Sequence, residues 1–322
     1  MTAVFKQNNL PWVEKYRPEN LDQINGHEIK IQTLKALIHR KELPHLLFYG
    51  SPGTGKTSTI LACAIEMYGS QSYKRYVLEL NASDDRGIDT VREQIRDFVK
   101  ISSDKIKLVI LDEADAMTGD AQNALKFVVE ENSKNSRFCL ICNDINKIIP
   151  GLQSRCTRMN FGTLLPEQIR PKIMEIISKE GTSISPEAID RLIHINRDFR
   201  QIINTLQCIQ CISESVIVPE DINSYLGIPT DQDIQYMVNL LSDKKKNFLE
   251  VSTILLNKFK DNQWSIKEFI IRIVRHVMSS KIVDTQKIKL IEKLADIDYK
   301  ISSCHDIEIQ LYSLVGAFQS CR

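Results

Sequence analysis

The sequence predicts an α/β module built on a parallel sheet, followed by two segments that are helical throughout. Three observations predict it. Gly50-Ser51-Pro52-Gly53-Thr54-Gly55-Lys56-Thr57 fits the phosphate-loop pattern G-x-x-x-x-G-K-[ST] at every fixed position, between the apolar run Leu46 to Tyr49 and a helical stretch from Ser58 to Met67. Short apolar runs alternate with helix-spaced stretches as far as Phe161. From Pro166 onward only helical spacing is found.

Taken in order, Pro11 to Pro18 reads as a fixed, irregular segment, because two prolines bracket a mixed aromatic and charged run. Glu28 to His39 places Ile31, Leu34, Leu37 and Ile38 at helical spacing. Strands follow at Leu46–Tyr49 and Tyr76–Leu80, and the polar stretch Asn81 to Gly87 leads into a helix near Ile88. Lys107-Leu108-Val109-Ile110-Leu111-Asp112-Glu113 is continuously apolar until its two carboxylates, as expected of a strand buried on both faces of a parallel sheet. Gly119 to Glu131 is helical, Arg137 to Cys142 is a further strand, and Arg158 to Phe161 a last short one. The phosphate loop, Asp112, Glu113 and Asn143 all fall at the carboxyl ends of strands, where open α/β sheets bind ligands.

Helices are then expected at Glu167–Lys179, Ser185–Ile195, Arg200–Ile212 and Pro219–Leu226, with Ser185-Pro186 reading as an N-cap followed by proline. Gly227 to Thr230 reads as a linker, and apolar spacing returns at Met237–Leu241, Phe248–Phe259, Ile266–Val277 and Ile288–Leu294. The expected division is therefore 1–162, 163–229 and 230–322.

With 322 residues, 43% hydrophobic and 26% charged, the composition is that of a globular protein of two or three domains. No apolar run approaches the ~20 residues of a membrane span. The amino-terminal residues lack the pattern of a secretory or transit peptide, so an intracellular location is expected. A formal net charge of +1 provides no bulk attraction to nucleic acid or membrane, and any DNA contact must be local. The two C-x-x-C pairs, Cys139/Cys142 and Cys208/Cys211, lie inside apolar runs and are expected to be buried free thiols rather than zinc ligands. Reduced cysteines fit the cytosol or nucleus.

The chemistry implied is that of a nucleoside triphosphate site. Loop N–H groups and the following helix N-terminus point at phosphates, Lys56 reaches the β and γ oxygens, and Thr57 is placed to ligate Mg²⁺. Asp112 is expected on the Mg²⁺ side and Glu113 as the base that orients water; adjacent strand residues point apart, but a chain turning at the strand's end lets both approach. Asn143 is expected to polarise that water or touch the γ-phosphate.

Together these pieces resemble the AAA+ ATPases. Trp12 to Pro18, Leu43 to Gly50, Leu111 to Thr118 and Ser154-Arg155-Cys156 resemble the boxes of the replication factor C small subunits. Asn81 to Asp89 and Ala295 to Tyr299 are most similar to the class called subunit 3 in yeast and subunit 5 in humans. The resemblance implies an ATPase module, a helical lid and a helical collar that joins five subunits. It implies that ATP and Mg²⁺ are bound, with Tyr49, Gly50, Ser51, Pro52, Gly53, Thr54, Gly55, Lys56 and Thr57 on the nucleotide. Val13 and Arg17 would line the adenine pocket, Asn143 would be the first sensor and Arg200 the second. Arg155 would act in trans on a neighbour's site. Arg86, Arg92 and Lys126, near helix starts, would hold the primer–template DNA backbone, and the helix 89–99 would face the sliding clamp PCNA. A nuclear clamp loader of DNA replication and repair is the implied whole. Two departures stand out: Arg197-Asp198 replaces the usual Gly-Asp before the lid arginine, and Lys126-Phe127 replaces paired arginines.

Other readings remain open at this point: a shared subunit of a checkpoint or cohesion loader, or an ATP-binding scaffold with little hydrolysis of its own. Asp112-Glu113-Ala114-Asp115 also spells a helicase motif, but the segment after 163 has no second α/β domain to complete such an enzyme.

Overall fold

The computed structural model describes residues 10–83, 87–101, 103–196, 198–213, 215–280, 283–301, 303 and 306–321, with the side chains of 87–92 outside that description. It divides into two compact units, one of residues 1–183 and 189–214, the other of 184–188 and 215–322.

The first unit is built on five parallel strands, β1 (Leu46–Tyr49), β2 (Val77–Asn81), β3 (Lys107–Asp112), β4 (Ser136–Cys142) and β5 (Thr157–Asn160), in the order β2-β3-β4-β1-β5. The period of two sorts each strand's side chains onto two cores. Leu46, Phe48, Leu108, Ile110, Cys139 and Ile141 pack on one face with Leu34, Ile60 and Cys63. Leu47, Val109, Leu111, Phe138, Leu140 and Cys142 pack on the other with Ile95, Leu125 and Val128. Double burial is why these strands read as continuous apolar runs.

The helices of this unit are α1 (Trp12–Lys15), α2 (Glu28–Arg40), α3 (Lys56–Tyr68), α4 (Tyr73–Tyr76), α5 (Gly87–Lys100), α6 (Gly119–Glu131), α7 (Pro150–Gln153) and α8 (Pro166–Glu180). They are joined by most of α9 (Pro186–Ile195) and by α10 (Phe199–Ile212). Segment 11–18 is not wholly irregular: α1 makes one turn, with Pro11 at its N-cap, where the Pro11 carbonyl accepts from Glu14 and Lys15 N–H. Trp12 is buried, and its backbone N–H donates to Gln207 Oε1 of α10 at 3.1 Å.

The second unit holds α11 (Pro219–Tyr225), α12 (Asp231–Ser242), α13 (Phe248–Asn262), α14 (Ile266–Ser279), α15 (Asp284–Ile301) and α16 (Ile307–Ser320). Its core gathers Met237, Leu241, Leu255, Phe269, Ile273, Leu294, Leu311 and Leu314, with Phe259, Trp264 and Phe269 in mutual ring contact. Thr230, Asn247 and Ser265 cap α12, α13 and α14, each accepting from the N–H three residues on. Helix α16 is absent from the sequence expectation. Ile307, Ile309 and Tyr312 leave apolar residues on its open side, so no polar face marks the stripe that Leu311, Leu314, Val315 and Phe318 bury.

The cysteine expectation holds for one pair only. Cys139 and Cys142 are buried in β4, whereas Cys208 and Cys211 are exposed. Helix α10 buries Ile202, Ile203, Leu206 and Ile209, and positions 208 and 211, three apart, share the opposite face. Among the described residues no helix is long and apolar enough to cross a membrane.

Candidate nucleotide-binding site

The phosphate loop leaves β1 at Gly50, whose φ is +143° and whose hypothetical Cβ would stand 2.0 Å from the Phe161 carbonyl oxygen. Only glycine lets the chain exit there beside β5. At Gly53, φ +70°, a Cβ would fall 1.7 Å from Asp198 Oδ1, so this glycine admits the first turn of α10 against the loop. Helix α3 then begins at Lys56, two residues earlier than expected, so Lys56 and Thr57 sit in its first turn among unpaired backbone N–H groups.

Lys56 is 7% exposed and donates to Gly50 O at 2.7 Å, Ser51 O at 2.8 Å and Asn143 Oδ1 at 3.1 Å. Burial pulls its ammonium below the ordinary lysine range, with the Asp112 charge opposing. Thr57 Oγ1 donates to Asp112 Oδ2 at 2.7 Å, tying the helix start to the end of β3.

Beyond Asp112 the backbone turns sharply. Glu113 adopts φ +54°, ψ +38°, a left-handed conformation unusual for a residue with a side chain, and its N–H donates to Asp112 Oδ1 at 2.8 Å. This turn is what brings both carboxylates to the cavity wall, as the sequence expectation required. Asn143 is held from behind by Asp115, whose Oδ2 accepts from the N–H groups of Asn143 and Asp144, each at 3.2 Å. In the sequence Asp115 reads only as part of the Asp112-Glu113-Ala114-Asp115 string, with no role of its own.

The resulting cavity, about 220 Å³, is lined by Val13, Arg17, Pro52, Gly53, Thr54, Gly55, Lys56, Thr57, Asp112, Glu113, Asn143 and Arg200 of the expected set. Tyr16, Asn25, Leu164, Lys172, Phe199 and Ile203 also line it and were not singled out from sequence. Tyr49, Gly50 and Ser51 are not on its wall: Tyr49 packs against the sheet core, while Gly50 and Ser51 act through the carbonyls that hold Lys56. Asp198 caps α10, accepting from Arg200 N–H at 2.9 Å and Gln201 N–H at 3.4 Å, so this helix start is well formed although residue 197 lies outside the described residues.

Arg155 stands outside the cavity. Its Nη1 donates to Gly151 O at 2.7 Å and its guanidinium pairs with Glu130. Lys126 lies roughly two turns into α6 rather than near its start, with its Nζ 4.7 Å from the centre of the exposed Phe127 ring. Arg86 and the Arg92 side chain lie outside the described residues.

Residues 46–164 match the family described as ATPase family associated with various cellular activities (AAA), 166–221 the RFC1-like AAA+ ATPase lid domain, and 229–317 the Replication factor C C-terminal domain. Replication factor C subunit 5 of Homo sapiens is 42% identical, covering 99% of this chain and 94% of its own. Replication factor C subunit 3 of Saccharomyces cerevisiae is likewise 42% identical, covering 99% and 96%. The chain belongs to the replication factor C subunits. As a member of that group it is an ATPase of the AAA family, and its site binds nucleotide. The fold is shared with the Thermotoga maritima RuvB Holliday junction branch migration motor, at TM-score 0.53 and 15% identity, over 74% of this chain and 85% of that one.

The donor set fits a nucleoside triphosphate with Mg²⁺. A triphosphate needs backbone N–H groups at a helix start and cations, which α3, Lys56 and Arg200 supply. A hydroxyl and a carboxylate already 2.7 Å apart, Thr57 and Asp112, are oxygen donors of the kind Mg²⁺ prefers.

Proposed function

We propose that this chain is an ATPase subunit of the replication factor C clamp loader, binding ATP with Mg²⁺ and acting with its fellow subunits to open PCNA and place it on primer–template DNA in the nucleus. The reading includes the division into an ATPase module (1–162), a lid (163–229) and a collar (230–322). It rests on one observation above the others: the cavity collects Lys56, Thr57, Asp112, Glu113, Asn143 and Arg200, while Arg155 is kept outside it.

Within the site, the loop N–H groups and Lys56 bind the phosphate chain, and Thr57 with Asp112 would hold the metal. Bound Mg²⁺ supplies neutralisation of the charge that develops on the phosphoryl oxygens. Glu113, on the cavity wall after its left-handed turn, is the base that orients the attacking water and takes its proton. Asn143, fixed by Asp115, aligns that water and keeps Lys56 in register. Val13 and Arg17 border the nucleoside, and Arg200 carries the phosphate state to the lid. Arg155 completes the site of the next subunit, and Lys126, with Arg86 and Arg92, supports backbone contacts to DNA that position without reading sequence.

The test is ATP hydrolysis by the chain alone, then with its partner subunits, each with and without clamp and primed DNA. Low activity that rises on assembly and again with clamp and DNA is expected. In the assembled complex Arg155→Ala should cost about 10³-fold at the neighbouring site and leave this chain's own ATP affinity unchanged. High activity alone, indifferent to partners and clamp, overturns the reading.

A further inference from the structure

We infer that Lys172, on helix α8, is a nucleotide ligand at the base-and-ribose end of the cavity, and that Glu175 positions it there. The inference rests on the nucleotide reading above and adds a residue to it.

Lys172 lines the cavity, and its side chain is only 11% exposed. Lysine ordinarily keeps its ammonium in water, so a lysine folded inward along a cavity wall needs an explanation. Its surroundings fix which end of the cavity it serves. One turn before it on α8, Gln168 fills the space beside Gly26, its Oε1 3.2 Å from where a Cβ of Gly26 would stand. Two turns after it, Lys179 lies over the Tyr16 ring at 5.8 Å, and Tyr16 Oη donates to Glu180 Oε1 at 2.5 Å. Helix α8 therefore runs alongside the segment from Tyr16 to Gly26, and Lys172 lies between those two contacts. Tyr16, Arg17, Gln23 and Asn25 of that segment share the cavity wall with it.

The phosphate end is elsewhere. Lys56 is bonded to Gly50 O and Ser51 O of the loop and to Asn143 Oδ1 at the end of β4, whereas Lys172 Nζ is bonded to Glu175 on α8. That end has its own cations in Lys56 and Arg200.

Glu175 makes the lysine a fixed donor. Its Oε2 accepts from Lys172 Nζ at 2.8 Å and its Oε1 from Lys179 Nζ at 2.6 Å, so one carboxylate spans two ammonium groups on successive turns. An ammonium has three N–H donors, and the bond to Glu175 uses one. The remaining donors suit the acceptors of a nucleoside, the ring nitrogens of a purine and the oxygens of the ribose. The ligand class is thus the nucleoside half of the triphosphate.

The experiment is equilibrium binding of ATP and of inorganic triphosphate to the full chain, for wild type, Lys172→Met, Lys172→Arg, Glu175→Gln and Lys56→Ala. Loss of one charged hydrogen bond should weaken ATP about tenfold in Lys172→Met and leave triphosphate affinity unchanged. Lys172→Arg, which keeps a charged donor, should recover part of the loss. Glu175→Gln should show the same ATP-only pattern at a few-fold, since it loosens the donor without removing it. If Lys172→Met does not fold, the arginine and Glu175→Gln variants make the same comparison. ATP binding unchanged in the Lys172 and Glu175 variants, or ATP and triphosphate weakened equally, overturns the inference. Wild-type ATP affinity in Lys56→Ala would instead overturn the nucleotide reading itself.

Discussion

The phosphate cradle and the carboxy-terminal helices obey different rules of replacement. In the cradle single residues are required for what only they can do: Gly50 passes the Phe161 carbonyl, Gly53 admits Asp198, and Glu113 sits at φ +54° to face the cavity. In the unit of α12 to α16, Met237, Leu255, Phe269, Leu294 and Leu314 are fully buried among other apolar side chains, and what matters is volume and apolarity. A strained, charged region is specified residue by residue because each deviation from ordinary backbone or burial serves chemistry. A helical core is specified by pattern.

Three substitutions break or sharpen that contrast. Glu113→Gln should slow hydrolysis in the assembled complex by about 10³-fold, roughly 4 kcal/mol in barrier, while ATP affinity and melting temperature stay as in wild type. An equal loss of binding would mean that Glu113 holds the nucleotide rather than the water. Leu314→Ala should do the reverse, lowering stability by about 3 kcal/mol in urea unfolding and leaving the ATP affinity of folded protein unaltered. A nucleotide defect in folded Leu314→Ala would erase the distinction between the two regions.

The smallest effect concerns Glu175, between them in character: a surface ion pair that serves the site. Hydrogen bonds from Lys172 and Lys179 lower its carboxyl from 4.5 to about 2, against an opposing contribution from burial. A depressed carboxyl stabilises the fold above its unfolded value, and that stabilisation is lost as pH falls from 4.5 through about 2. With the carboxylate 40% exposed, the contribution is small. Glu175→Gln should melt slightly below wild type at neutral pH, with the gap closing as the pH falls through that window; a constant gap would mean the ion pairs contribute nothing.

Much of this was legible in the chain itself. The phosphate loop is a local string, and the strands around it are apolar runs whose double burial leaves them unmistakable, so β1, β3 and β4 fall within a residue or so of their expected places. Helix α6 begins and ends at Gly119 and Glu131 as its spacing indicated. Legibility failed where local pattern was weak or misleading. Helix α16 has few polar residues to outline a stripe, α1 is a single turn between prolines, and Cys208 and Cys211 look buried by neighbourhood but occupy the open face of α10.

By itself the sequence determined the alternation of strands and helices, the phosphate loop, the acidic strand end, and the strings that mark a replication factor C subunit. All of these are encoded within about ten residues, through backbone period, capping and steric preference. Only the tertiary structure decided that Asp115 holds the Asn143 backbone, that Asp198 rests on Gly53, that Glu180 takes Lys15 and Tyr16, and that Lys172 turns inward to the cavity. Those partners lie 28 to 165 residues apart along the chain, or meet only across a wall built by several elements. No local period encodes such a meeting, which exists only once the sheet and helices have brought distant residues within a hydrogen bond of one another.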